Sequence, residues 1–98
     1  RLVVDIIETY VDNAQSLIQE LGDAMNSEDA ARATAASHSL KSSSANVGAM
    51  RLASICSSIE KSARAGDIDS ASDRISKARA EFEAAIVELQ ARKSEIAA

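Results

Sequence analysis

His38 is the one histidine of this sequence, and Lys41 follows it three residues on. On a helix that spacing puts the two side chains one turn apart on the same face. A neutral, accessible imidazole is a nucleophile, and the free group's reference pKa of about 6.5 leaves most of it neutral at pH 7. A cation beside it suits phosphoryl transfer, where catalysis is chiefly positioning and charge neutralisation. A lysine there would stabilise the oxygens of a phosphoryl group transferring to or from the imidazole. Nothing resembles a glycine-rich loop that would cradle a nucleotide, so no kinase chemistry is expected of the chain itself. His38 and Cys56 lie far apart in sequence and on different faces, which makes no metal-ligand set.

The elements that must hold such a residue are helical. The chain has 98 residues, no proline, three glycines, twenty alanines, and only Tyr10 and Phe82 as aromatics. That composition suits closely packed helices and not a sheet. Val3, Ile6, Ile7, Tyr10, Ala14, Leu17, Ile18, Leu21 and Met25 recur in steps of three and four and mark a first helix over 2–25. Asn26 or Ser27 is the expected cap of a second helix over 29–46, which Gly48 ends or bends. Leu52, Ile55, Cys56, Ile59 and Ala63 define a third over 49–65, ending at Gly66. Asp67 caps a fourth over 68–95, whose seam is Ile68, Ala71, Ile75, Ala78, Phe82, Ala85, Ile86 and Leu89. Four amphipathic segments with short connections predict one all-α domain, an antiparallel up-down four-helix bundle.

A helical wheel of the second segment decides where His38 points. Ala33, Ala36, Leu40, Ser43 and Val47 fall within about 40° of the side opposite His38. Ala31, Thr34, Ala35, Lys41, Ser42 and Ala45 fall within about 60° of it. The core-forming residues therefore turn His38 and Lys41 to water, with small neighbours that let a partner's backbone approach. An antiparallel third helix brings Ser57 to Lys61 alongside, and Ser57 and Glu60 are candidates to orient the ring through its other nitrogen. Cys56 shares a stripe with Leu52, Ile55 and Ile59 and reads as a buried packing thiol. Ser43 and Ser44 read as small residues that allow close helix approach.

A net charge of −4 without a basic cluster excludes a nucleic-acid partner. No apolar run approaches the roughly 20 residues of a membrane span. No direct membrane contact is therefore expected. The lone cysteine suits a reducing cytoplasm. Beginning at Arg1, inside apolar sequence, the chain reads as a segment of something longer.

The run His38-Ser39-Leu40-Lys41-Ser42-Ser43-Ser44-Ala45-Asn46-Val47-Gly48-Ala49, continued by Leu52, Cys56, Ile59 and Glu60, resembles the signature of histidine-phosphotransfer (HPt) domains. The resemblance implies that His38 is phosphorylated and that Lys41 neutralises the phosphoryl oxygens. It implies response-regulator receiver domains as partners, each bringing an aspartate and its Mg²⁺, with no cofactor on this chain. The family's glycine after the lysine is Ser42 here, small enough to be tolerated. Family members act as monomers, are cytoplasmic, and often close membrane-anchored hybrid sensor kinases, an origin that the abrupt start also suggests. The competing reading is an adaptor bundle that binds a partner helix. It requires a continuous exposed apolar patch, and the His38 face carries only Ala, Thr, Lys and Ser.

Overall fold

The computed structural model describes residues 2–97. Their order is α1 (Leu2–Asn26), α2 (Ala30–Asn46), α3 (Met50–Arg64), the short α4 (Ile68–Ser72) and α5 (Ile75–Ala97). Early α1 meets late α2, with Tyr10 against Ser44, and late α1 meets early α2, with Glu20 against Arg32. The two helices therefore run antiparallel. α3 returns along α2, and α4 and α5 together fill the fourth position of the up-down bundle. The molecule is elongated, 46 × 18 × 17 Å, because α1 and α5 are longer than the α2–α3 hairpin.

The turns follow from local chemistry. Asp29 caps α2 by accepting from the Arg32 amide at 3.1 Å. This corrects the expected cap at Asn26 or Ser27, and α2 begins one residue later than the predicted 29. Asp67 caps α4 in the same way through the Ser70 amide. Gly48 takes φ 83° after α2, and the Ala49 amide closes onto the Ser44 carbonyl at 2.8 Å. A side chain is strained in that left-handed conformation, so glycine is what lets α3 fold back on α2.

Three packing expectations need correction. Val3 and Ile6 are about half exposed, while Val4 and Val11 are buried instead. α2 ends at Asn46, so the first turns of α1 have no α2 above that face and bury the neighbouring one. On α2, Ala33, Ala36 and Leu40 are buried as the wheel requires, but so are Ser37 and Ser44, while Ser43 and Val47 are half-buried. The core side of α2 is thus rotated toward Ser37 and Ser44. Ser37 satisfies its hydroxyl on the Ala33 carbonyl at 2.7 Å, and Ser44 pairs with the Tyr10 hydroxyl at 2.8 Å.

The third correction concerns the last helix, expected unbroken over 68–95. It is interrupted at Asp73–Arg74 and reaches Ala97. Asp69, Ser70, Ser72 and Asp73 are poor helix formers, and the ladder tightens where the Arg74 amide donates to the Ala71 carbonyl while the Arg74 guanidinium takes the Ser70 carbonyl. The apolar period survives the break, since Ala71, Ala78, Phe82, Ala85 and Leu89 are all buried.

Leu21, Leu40, Leu52, Cys56 and Ile59 are the fully buried centre of the core. Leu40 anchors α2 from behind the His38 face. Leu40→Ala should lower stability by about 2–5 kcal/mol, the usual cost of a core leucine truncation. Urea unfolding followed by helical circular dichroism measures it.

Candidate functional site

His38 lies in the middle of α2, with its side chain 58% exposed. Ala31, Ala35, Ser42 and Ala45 are exposed around it. Thr34 is half-buried, its hydroxyl donating to the Ala30 carbonyl at 2.7 Å. The face is open and carries no bulky side chain. Concave parts of the surface lie elsewhere. One of about 330 Å³ is lined by Asp5, Ile6, Tyr10 and Val47 among others, and one of about 400 Å³ by Gly48 to Leu52 and part of α5. The imidazole thus sits on an open face and lines neither of these concavities.

The ring is held from α3. Glu60 is buried, its side chain 4% exposed, and its Oε2 lies 2.9 Å from His38 Nδ1. An ionised carboxylate only accepts, so Nδ1 is the protonated nitrogen and donates. Nε2 is then left with its lone pair, directed away from α3. Ser57, the other candidate to hold the ring, is half-buried and makes no hydrogen bond to it. Glu60 outreaches it because a longer side chain spans the gap between the two helices.

Glu60 has two further partners. Lys41 Nζ donates to Oε1 at 2.6 Å, and Arg64 Nη2 donates to Oε2 at 2.6 Å. The Lys41 hydrogen bond chiefly, with those of His38 and Arg64, holds the carboxyl well below its ordinary 4.5, at about 2, against the opposing effect of burial. A buried carboxylate is costly unless paired and hydrogen-bonded, and here three donors from two helices meet it. Lys41 is accordingly one-third exposed, not a free surface cation.

Arg64 is absent from the residues that spacing on α2 singles out. The signal that finds it is its position four residues after Glu60, on the same face of α3. Cys56 is fully buried, and burial pushes its thiol up to about 12, which makes it a packing residue and not a nucleophile.

The comparisons with known proteins agree with this geometry. The Hpt domain family matches residues 5–92. Histidine-containing phosphotransfer protein B from Pseudomonas aeruginosa PAO1 is similar in structure, with a TM-score of 0.91 and 27% sequence identity, over 94% of this chain and 80% of that one. No curated protein sequence matches the chain. The match across nearly the whole sequence, on a bundle that presents one exposed histidine, makes the chain a member of the Hpt domain family, with a role in histidine phosphotransfer within a phosphorelay.

Proposed function

We propose that His38 accepts a phosphoryl group from the aspartate of one response-regulator receiver domain and passes it to another. The observation that carries this reading is the bond between His38 Nδ1 and the buried Glu60 carboxylate, because it leaves Nε2 as the nucleophile. In the forward step the Nε2 lone pair attacks phosphorus. The N–P bond forms, the P–O bond to the receiver's aspartate breaks, and that carboxylate leaves with the electron pair. The ring, now bonded to phosphorus at Nε2 and to hydrogen at Nδ1, carries a positive charge. Glu60 stabilises that charge while the proton stays on Nδ1, the part an acid plays when it orients a catalytic histidine. Transfer to the next aspartate reverses the step, so no proton need enter or leave the site.

Lys41 supplies charge to the phosphoryl oxygens. An ammonium has three donors, so Lys41 can turn one toward the phosphoryl group. Ala31, Thr34, Ala35, Ser42 and Ala45 form the surface on which a receiver docks. The Mg²⁺ that the reaction uses is the receiver's, and this chain acts as one copy, as a carrier. Among the described residues no helix is long and apolar enough to cross a membrane. We place the domain in the cytoplasm, on its own or as part of a membrane-anchored sensor kinase.

Three outcomes test this reading. A phosphorylated receiver mixed with the domain should leave an acid-labile, base-stable label on it, and His38→Gln should abolish that label; a label that persists at full level in His38→Gln removes the proposal. Lys41→Ala should slow transfer about a hundredfold, within the range for loss of one preorganised charge-stabilising donor. It should also cost about 1 kcal/mol of stability, since it takes a charge-assisted bond from a buried acid; rapid-quench kinetics and thermal melting give the two values.

Glu60 supplies the pH dependence. Its folded pKa is depressed, so its contribution to stability is complete above about 4.5 and is lost as pH falls toward about 2. Wild type should lose stability across that window more steeply than Glu60→Gln, as urea unfolding at a series of pH values will show.

A further inference from the structure

We infer that Arg64 is a positioning residue for phosphoryl transfer, the counter-charge that holds Glu60 on the ring and releases Lys41 to the phosphoryl group. The inference rests on the reading of His38 given above. Arg64 Nη2 sits 2.6 Å from Glu60 Oε2, the same oxygen that accepts from His38 Nδ1. Lys41 occupies the other oxygen. In the resting site the lysine is thus committed to Glu60, although the transferring group needs it.

An Arg four residues after a Glu is a common surface pair that stabilises an exposed helix only weakly. This pair differs at its acid end. Arg64 is 63% exposed at its side chain, but the carboxylate it binds is 4% exposed. A carboxylate in that position cannot be left without a cation.

When a phosphoryl group arrives on Nε2, Lys41 must divide its charge between Oε1 and the phosphoryl oxygens. If Lys41 were the sole cation on Glu60, the acid would compete with the phosphoryl oxygens for it. The uncompensated carboxylate would also repel the incoming negative charge. Arg64 removes both obstacles. It approaches from the next turn of α3, keeps the carboxylate charge-paired, and pins Oε2 where it accepts from Nδ1. Arg64 need not touch the phosphoryl group, so it acts through Glu60.

The test is a double-mutant cycle read with phosphoramidate, which transfers its phosphoryl group to imidazole with ammonia as the leaving group and needs no protein partner. Phosphorus NMR follows the Nε2 phosphohistidine. Arg64→Ala should slow labelling about tenfold, the lower end of what loss of a partner to a functional ligand costs. Arg64→Lys, which keeps the charge, should recover most of the rate. In a Glu60→Gln background, where the amide oxygen can still accept from Nδ1 but carries no charge, Arg64→Ala should change the rate by less than about twofold. Ring-nitrogen NMR should show the Nδ1–H tautomer less populated in Arg64→Ala than in wild type. Equal slowing in both backgrounds, or no slowing in either, overturns the inference. Melting curves identify any variant that fails to fold, and Arg64→Lys then carries the comparison. If the wild-type chain takes no label at His38, it is the proposed function that fails, and not the role of Arg64 alone.

Discussion

Glu60 is a carboxylate buried between two helices, and the site is arranged around the need to keep it paired. Its oxygens take three donors, His38 and Lys41 from α2 and Arg64 from its own helix α3. Each α2 donor fixes the rotation of one helix against the other. A change of one residue in register turns a helical side chain by about 100° and would carry Glu60 off the ring. The same contact that selects the tautomer of His38 therefore ties α2 to α3, the most extensively packed pair in the bundle. Chemistry and register are one constraint here.

That constraint explains why the core behind the site is apolar and closely fitted. Leu40 is fully buried on the side of α2 opposite His38, and Leu52 and Cys56 are fully buried on the stripe of α3 that leads to Glu60. Buried serines on α2 keep the helices close at little volume: Ser44 meets the Tyr10 hydroxyl, and Ser37 folds onto its own backbone. Their hydroxyls are satisfied, so the polar atoms add no desolvation penalty to the packing. The histidine is rigidly placed although it lies on the surface.

Much of this was legible before any coordinates. The period of Ala33, Ala36 and Leu40 against His38, Lys41 and Ala45 fixes which way the imidazole points, because core apolar residues on one side leave only the other for water. Gly48 marks the turn because only glycine takes its backbone angle without strain. Glu60 is legible as one of two residues beside the ring, because an antiparallel α3 returns past His38. Its choice over Ser57 depended on reach, which spacing along a helix does not encode. The exposure of Val3 and Ile6 was hidden for a related reason. A period tells which residues share a face, but not where the neighbouring helix ends. The break at Asp73–Arg74 falls where poor helix formers cluster, while the heptad seam that spacing detects runs through it. Arg64 was missed because its meaning lies in the burial of its partner, and in sequence it is one more basic residue near a helix end.

The choice of a carboxylate to hold the ring carries a tension that the rest of the site resolves. A charged acceptor fixes the proton on Nδ1 more firmly than a neutral one and would stabilise the positive ring that the proposed phosphorylation creates. It also places a negative charge close to where a dianionic group would land in that proposed step. Lys41 and Arg64 outnumber Glu60 by one positive charge, so the His38 neighbourhood is locally cationic within a chain of net charge −4. The excess is small and bound to the acid, which suits the proposed relay, in which the group is accepted and then released. A stronger cationic pocket would hold a phosphoryl group and slow its departure, whereas in the proposed relay an open face with a shared lysine would let a docked receiver complete the charge balance.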